Sequence, residues 1–596
     1  MYFEQPEVFL NFRHYGISTD CFNGGAEIKK FGEFYEISSD IECIPISYDY
    51  ARVLCSDYAA YIDIKLHDVT DGVLSREQYN PFWSRPSFER DLSKIPDNIQ
   101  NMLIKSGDKY ISILPLCSED FYAYISPSES KDTLRISITK FYEGVQSIKC
   151  TLAVIAEDKN PYNAVHKAYE YAVKKEYITA PLREDKKLDD IYGGLGWCSW
   201  NACYHEISEK MIIAKLQEFK NKNIPVRWIM IDDGWSRYEN DRLVSEFEDN
   251  TKFPNGLKGC IDKVKKEYGV KAVGVWHALT GYWYGIKKDS EVYSKNDFLE
   301  TVSGYYIPYT YEFYNSWHKY LRKQGVDFLK TDGQGNVIEF LRGHKNCIRL
   351  CRDIQNTAEQ SVHENFSDNA INCMGMSNIN VYSRKYTYLA RTSDDFYPDK
   401  PESFKTHLMQ NVYNAVFHAN LLYCDFDMWC SKNAAAKAGS VLRAISGGPV
   451  YVSDKLNESD EKYIKPIIDS NGDILMCDGT AQPSPECLFS ENDVIKVYNR
   501  AGDNAVLALF NTSDREHRIK ISAADICAAG DFIVYAYFAK RFFRPENELE
   551  ISAGDTEILN FYKVSNDEIL LGDTEKYISV ASKNKKRINI NELELG

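Results

Sequence analysis

The sequence predicts a multidomain α/β plus β protein, in which a central (β/α)8 TIM barrel is flanked by an N-terminal and a C-terminal β-sandwich. A chain of 596 residues is too long for a single hydrophobic core. Between residues 190 and 454 short apolar runs alternate with amphipathic helical stretches, and strand-like alternation occupies both flanks. We therefore expect three domains, over residues 1–185, 186–474 and 475–596.

Residues 25–155 carry the pattern of an antiparallel sandwich. Runs such as "YISILPL" and "LRISITKFY" alternate apolar and polar residues and are separated by Gly, Asp and Ser. The stretch "PYNAVHKAYEYAVKKEY" has helical periodicity and leads through the charged "REDKKLDD" to a different pattern. The first domain is therefore expected to end near residue 185.

The central region predicts eight β-α units. Helical stretches such as "SEKMIIAKLQEFKNKN" and "ESFKTHLMQNVYNAVFHAN" separate its apolar runs, as crossover helices separate parallel strands. The candidate strands are "GGLGWCSW", "VRWIMID", "KAVGVWHAL", "VDFLKTD", "AINCMG", "TYLARTSDD", "LLYCDFD" and "GGPVYVSD". An open doubly wound sheet would have no reason to stop at eight units. Because the carboxyl ends of barrel strands form the active-site face, the polar residues at these ends are candidate site residues.

Beyond about residue 475 the helical period disappears. The runs "VIKVYNR", "NAVLALFN", "DFIVYAYF" and "EILNFYKV" alternate again and predict a second β domain, for which we expect a scaffolding role.

Composition excludes several classes of partner. The formal charge of -16 disfavours nucleic acid and anionic membrane surfaces. Residues 1–16 have no export signal and no long apolar run follows, so we expect a cytoplasmic protein that neither spans nor binds a membrane. Sixteen scattered cysteines indicate no disulfide framework, and no ligand pair ends a strand, so neither metal nor cofactor is expected. A neutral small molecule fits better, and a homo-oligomer is left open.

The segment "LKTDGQGN" ends the fourth candidate strand with two charged residues. Alternation places Lys330 and Asp332 on one face, where the lysine is expected to lower the pKa of the carboxylate and keep it ionised. An ionised, oriented carboxylate can act as a nucleophile. The alternative is a salt bridge at the barrel rim.

The sixth candidate strand ends in "RTSDDFYP". Asp394 and Asp395 cannot both point into one cavity, so one is expected to face the site while local hydrogen bonds hold the other. Such pairs also occur as caps in turns. With Asp332 on the same barrel face, however, the two carboxyls meet the requirement for glycoside hydrolysis.

Further acidic and aromatic residues follow the first two candidate strands. "IDDGW" contains Asp232, Asp233 and Trp235, and the two carboxylates are candidate ligands because carboxylates can bind sugar hydroxyls. "GWCSWNACYHE" contains Trp197 and Trp200, whose indole rings can pack on the apolar face of a pyranose. Any single tryptophan is more often part of a core, but three near strand ends favour a sugar site.

These motifs, together with "DFDMWCS" and "GGPVYVSD", resemble the successive barrel motifs of glycoside hydrolase family 36, in its raffinose synthase and seed-imbibition branch. The resemblance implies retaining cleavage of terminal α-galactosides through a covalent galactosyl-enzyme, without metal or cofactor. It makes Asp332 the nucleophile. It makes Asp395 the acid/base, because Arg391 stands four residues before it as in related α-galactosidases, with Asp394 as second choice.

The resemblance also implies a set of substrate-binding residues. Sugar hydroxyls would be held by Lys330, Asp232 and Asp233, sugar-facing rings would be Trp197, Trp200, Trp235 and Trp276, and the acceptor side would be lined by Asp425 and Asp427.

We expect hydrolysis of melibiose- or raffinose-type α-galactosides as the main activity, with three alternatives open. A sugar can intercept the same covalent intermediate, which would make the protein a galactosyltransferase. The sequence does not give the size of the pocket around the 2-position of the sugar, so an α-N-acetylgalactosaminidase is the second alternative. From another class, a non-catalytic carbohydrate-binding protein would bind sugar without turnover. Asn201, where plant members usually have aspartate, puts transferase activity in doubt.

Overall fold

The computed structural model describes residues 7–10, 22–43, 60–66, 70–141 and 147–596. Most of residues 1–16, from which we expected no export signal, lie outside these ranges. Eleven strands form the first sheet: β1 (Glu7–Leu10), β2 (Phe22–Phe31), β3 (Phe34–Cys43), β4 (Ala60–Lys65), β5 (Gly72–Gln78), β6 (Ser84–Glu89), β7 (Ile99–Ser106), β8 (Lys109–Pro115), β9 (Tyr122–Ser126), β10 (Thr133–Thr139) and β11 (Ser147–Asp158).

The first sheet is antiparallel in every pairing, as its alternating sequence predicts. The strand order is β1-β4-β10-β9-β7-β8-β11-β3-β2, and the β5–β6 hairpin joins through β7. Helix α1 (Pro161–Lys174) packs on β8 and β11, and its start is capped by the Asn160 side chain, which accepts from the N–H groups of Tyr162 and Asn163. The helix predicted over 161–177 is therefore confirmed.

The second sheet is parallel and has eight strands. They are β12 (Gly196–Cys198), β13 (Trp228–Ile231), β16 (Ala272–Ala278), β19 (Phe328–Asp332), β20 (Ala370–Asn372), β21 (Leu389–Arg391), β22 (Tyr423–Asp425) and β23 (Tyr451–Val452). Each of the eight predicted runs contains one of them. The order β22-β21-β20-β19-β16-β13-β12-β23 follows the chain apart from β23, and a parallel bridge between Trp429 and Val452 links the two ends of the sheet.

Helices and two small hairpins surround this sheet. The helices are α2 (Trp200–Cys203), α3 (Glu209–Asn221), α4 (Gly256–Tyr268), α5 (Tyr311–Lys323), α6 (Asn336–Leu341), α7 (Cys347–Phe366), α8 (Asn378–Val381), α9 (Ser403–His418), α10 (Ala436–Ile445) and α11 (Glu461–Ile464). The hairpins are β14 (Ser236–Glu239) with β15 (Arg242–Glu248), and β17 (Leu299–Glu300) with β18 (Tyr306–Ile307).

Large side chains fill the barrel interior at the start of the strands. Trp228 and Phe328 pack edge to face with ring centroids 5.5 Å apart. A Cβ at Gly196 would lie 2.3 Å from the Trp228 ring and one at Gly274 would lie 2.4 Å from the Phe328 ring, so both strands need glycine there. Because this end is packed, a ligand pocket has to lie at the carboxyl ends of the strands.

The third sheet follows the barrel. Its order is β24-β25-β26-β31-β28-β29, and the four predicted runs of the C-terminal region each contain a strand. The six strands of this sheet are β24 (Gln482–Pro483), β25 (Val494–Ala501), β26 (Asn504–Asn511), β28 (Phe532–Ala536), β29 (Arg541–Phe543) and β31 (Thr556–Lys563). Two separate two-stranded sheets pair β27 (His517–Lys520) with β30 (Glu548–Ile551) and β32 (Glu568–Leu571) with β33 (Lys586–Asn589). Across the described ranges, no helix has the length and apolar character needed to cross a bilayer.

Candidate active site

The acidic residues singled out in the sequence lie at one edge of the parallel sheet. Asp332 ends β19, Arg391 ends β21 and Asp425 ends β22, while Asp232 directly follows β13. Since all eight strands are parallel, their carboxyl ends meet at the same edge, and side chains that follow them converge there.

Asp332 is oriented by two N–H donors. Its Oδ2 accepts from Trp276 Nε1 at 2.8 Å and its Oδ1 accepts from the Gly333 N–H at 2.8 Å. Burial raises the pKa of Asp332 above its ordinary value, Lys330 and the two donors lower it, and the negative charge of Asp395 raises it.

The salt bridge given as the alternative for Lys330 does form, but with a carboxylate other than Asp332. Lys330 Nζ instead forms a buried ion pair with Asp232 Oδ2 at 2.7 Å on a neighbouring part of the barrel. Lys330 does lower the pKa of Asp332, as expected, but burial outweighs its attraction and the net shift is upward. Cys198 also donates to Asp232, at 3.1 Å. This carboxylate and ammonium, with only 2% and 4% of their areas exposed, form a fixed polar floor beside Asp332.

Asp233 is held by a separate ring of donors. Its carboxylate accepts from the Tyr282 hydroxyl at 2.9 Å and from Trp283 Nε1 at 3.2 Å. His205 Nε2 lies 3.2 Å away, and its hydrogen bond to Asp233 raises the histidine pKa. These contacts leave Asp233 as an ordered acceptor group near the strand ends.

Asp394 and Asp395 have different surroundings. Asp394 Oδ1 accepts the N–H of Asp395 at 2.7 Å, and Asp394 Oδ2 accepts from the Tyr79 hydroxyl at 2.9 Å. The Asp395 side chain is 38% exposed, and Arg391 lies 3.3 Å from its Oδ1. Asp395 is thus the member of the pair that is free to meet a ligand.

Arg391 has a stronger partner than Asp395. It is fully buried and pairs at 2.9 Å with Asp427 Oδ2, which is also fully buried. Burial raises the pKa of Asp427 to about 6, although Arg391 lowers it. Asp425 accepts from the Tyr451 hydroxyl at 2.8 Å. Both carboxylates serve internal contacts and neither is exposed, and their expected place on the acceptor side stays a prediction.

Two of the four tryptophans expected to face a sugar have no exposed ring area in this structure. Trp197 and Trp235 are fully buried, and their Nε1 groups donate to backbone carbonyls of Asp454 and Trp276. Trp276 is also buried and acts through its N–H on Asp332. Trp200 is half-buried and packs edge to face against Tyr204. It is the member of the four that retains an accessible ring.

The connection between β5 and β6 reaches this site, which the sequence did not indicate. Trp83 lies 5.3 Å from the Arg391 guanidinium and packs with Cys373. The carbonyl of Pro81 comes so close to Gly335 that a Cβ there would lie 2.1 Å from it. The second glycine of "LKTDGQGN" is therefore required by this close approach. In the sequence, the aromatic residues around Pro81 in "YNPFW" were the only local indication of this contact.

Among the described residues, no group of three or more His, Cys, Asp or Glu side chains is placed to hold a metal ion. The side chains described above supply carboxyls with N–H, O–H and ammonium partners.

A family model described as raffinose synthase or seed imbibition protein Sip1 matches residues 91–253, 244–304 and 294–516. The chain belongs to this family. Its place in the raffinose synthase branch of glycoside hydrolase family 36, predicted from the barrel motifs, is confirmed.

The curated relatives of this family member include two Arabidopsis thaliana proteins. Probable galactinol–sucrose galactosyltransferase 1 is 29% identical over 505 residues, which are 73% of this chain and 67% of that protein. Probable galactinol–sucrose galactosyltransferase 6 is 32% identical over 400 residues, which are 59% of this chain and 53% of that protein. The chain thus matches between about half and two thirds of the length of these relatives.

Among solved structures, the galactosidase domain of an α-galactosidase–sucrose kinase aligns with a TM-score of 0.59 at 11% identity. The alignment covers 94% of this chain and 86% of that domain. It shows the fold, which is a TIM-like barrel accompanied by β-rich regions.

Proposed function

We propose that the protein is an enzyme that transfers an α-galactosyl group from an α-galactoside to the hydroxyl of a second sugar, with water as a competing acceptor. The observation that carries this proposal is the placement of Asp332 and Asp395 after β19 and β21, two strands whose carboxyl ends lie at one edge of the parallel sheet. The Asp332 carboxylate is fixed by two N–H donors and the Asp395 carboxylate is 38% exposed, as a nucleophile and an acid/base require.

In this reaction Asp332 attacks C1 of the galactosyl group while Asp395 gives its proton to the departing oxygen. The acceptor hydroxyl then loses its proton to Asp395 as its oxygen replaces Asp332 at C1. The Lys330–Asp232 pair and Asp233 supply the donors and acceptors for the sugar hydroxyls. Two displacements at C1 retain its configuration.

The comparisons support transfer more than the hydrolysis expected from the sequence. The relatives reported above are named as galactosyltransferases, whereas the solved galactosidase neighbour is only 11% identical and supports the fold alone. Melibiose- and raffinose-type hydrolysis stays a second candidate, because the same covalent intermediate can react with water.

Product analysis distinguishes the two. The protein is incubated with galactinol, alone and with sucrose, and free galactose and galactosylated sucrose are separated and quantified. Transfer predicts that sucrose diverts most of the galactosyl groups into the trisaccharide. Hydrolysis predicts free galactose equal to the aglycone released, whether or not sucrose is present. No turnover of galactinol, raffinose, melibiose or nitrophenyl α-galactoside would exclude both.

We also propose a division of the chain near residues 185 and 475, with β-sandwiches on both sides of the barrel. This division is supported by helix α1, which follows the last strand of the first sheet, and by the third sheet, which starts at β24.

Replacing Trp276 should shift the pH dependence of the reaction. In Trp276→Phe the Asp332 carboxylate loses an N–H donor that favours its ionised form, so its pKa rises further above 3.8. Since the nucleophile has to be ionised, the acid limb of kcat/KM should move to higher pH by about one unit, as expected for a hydrogen bond to a charged group.

The matched control is Trp317→Phe, since Trp317 Nε1 donates at 3.0 Å to the backbone carbonyl of Glu246. The acid limb should stay in place in this variant. An acid limb that stays in place in Trp276→Phe, or moves to lower pH, would contradict the role of this hydrogen bond.

A further inference from the structure

A tyrosine of the connection between β5 and β6 lies against the loop that carries Asp394 and Asp395. The Tyr79 hydroxyl donates to Asp394 Oδ2 at 2.9 Å, across a separation of 315 residues. Asp394 uses its other carboxylate oxygen to accept the backbone N–H of Asp395 at 2.7 Å. The Asp394 carboxylate therefore connects Tyr79 to the backbone of Asp395, the candidate acid/base.

Gln410 of helix α9 closes these contacts into a ring of hydrogen bonds. Its Oε1 accepts the N–H of Asp394 at 2.7 Å, and its Nε2 donates to the Tyr79 hydroxyl at 3.4 Å. Because the amide oxygen must face a backbone N–H, the amide nitrogen faces the tyrosine. The hydroxyl proton then has to point at Asp394, so the ring has one arrangement of its protons.

The Tyr79 ring is fixed from its other side. The Arg85 guanidinium lies 5.0 Å from the ring centroid and pairs with Glu77 at 2.7 Å. Burial and the negative charge of Asp394 raise the pKa of the Tyr79 hydroxyl, so that it remains a donor over the whole physiological range.

We propose that Tyr79 is a positioning residue for the acid/base step. It holds Asp394 and thereby the Asp395 backbone, so that the Asp395 carboxyl meets the oxygen of the scissile glycosidic bond. This inference rests on the proposed galactosyl transfer. The attack of Asp332 on C1 does not depend on the ring, because Asp332 is held by Trp276 and Gly333. Loosening the ring should impair proton transfer and leave the nucleophile in place.

The test is the dependence of kcat/KM on the acidity of the leaving group in Tyr79→Phe. Alkyl and sugar leaving groups need a proton, so their α-galactosides should lose about tenfold or more. Nitrophenolate departs without a proton, so nitrophenyl α-galactosides should lose little. The plot of rate against leaving-group acidity should therefore become steeper, which a general loss of folded protein would not produce.

Two further variants make the test decisive. Gln410→Met breaks the same ring from α9 and should steepen the plot in the same way, and it decides the question if thermal unfolding shows that Tyr79→Phe does not fold. Tyr162→Phe removes a hydroxyl that donates to the Pro483 carbonyl and should leave the plot unchanged. No loss, or an equal loss for every leaving group in the folded ring variants, would overturn the proposal. Wild-type protein inactive on every galactoside would instead refute the proposed function.

Discussion

Asp332→Ala is expected to lower both galactosyl transfer and hydrolysis by about 10⁴-fold or more, because the covalent bond to C1 can no longer form. The buried Lys330–Asp232 pair is left intact, so binding of galactose should persist. The measurements are kcat on nitrophenyl α-galactoside and galactose affinity by calorimetry. Added azide should enter the space left by the carboxylate and give β-galactosyl azide, because it attacks from the face that Asp332 occupied.

Asp327→Asn is the matched control for this variant. Asp327 directly precedes the same strand, roughly 16 Å from Asp332 at the rise of an extended chain. It pairs with Lys265 at 2.6 Å and accepts the Val273 N–H at 2.8 Å. Its variant should turn over substrate like the wild type. Near-normal activity of Asp332→Ala would show that the nucleophile lies elsewhere.

Asp395→Ala is expected to separate the two half-reactions. For leaving groups that need a proton, kcat/KM should fall by about 10²- to 10⁴-fold. Nitrophenyl α-galactoside should still form the galactosyl-enzyme, but without a base the intermediate should accumulate and release one equivalent of nitrophenol in a burst. Azide needs no base, so it should restore turnover and give α-galactosyl azide, with the configuration opposite to the product of Asp332→Ala.

Asp394→Ala tests the choice between the adjacent aspartates. Asp394 accepts hydrogen bonds from Tyr79 and from the Asp395 backbone, so its loss should slow proton transfer without azide rescue. Rescue by azide in Asp394→Ala but not in Asp395→Ala would reverse the two roles. This comparison needs only stopped-flow absorbance and product chromatography.

The parts of the fold that could be predicted are those set by local pattern. The periodicity of the apolar residues and the polar residues at the strand ends predicted eight parallel strands, with Asp332 and Asp395 at one edge of the sheet. The partner of Lys330 could not be predicted in the same way. Alternation puts Lys330 and Asp332 on one face, but it does not show that Asp232, from another strand, comes within 2.7 Å of the ammonium. That contact depends on barrel closure.

Contacts between segments that are distant in the chain could not be predicted from the sequence for the same reason. Trp197 and Trp235 stand at strand ends, as sugar-binding rings do, but the packing that buries them is formed by other elements. Tyr79 lies 315 residues from the carboxylate it binds, and nothing in "YNPFW" indicates which loop it meets. A single sequence therefore indicates which residues lie at each strand end, but not which segments of the chain cover them.

That cover has a consequence for how specificity can diversify. The Pro81 carbonyl rests on Gly335, and Tyr79 and Trp83 from the same turn stand over the mouth of the barrel. A barrel without the β5–β6 hairpin would lack these contacts and would be an incomplete catalyst. Conversely, insertions or exchanges in this turn that leave Tyr79 in place can alter the surface above the strand ends, while the eight strands and both reacting carboxyls stay as they are.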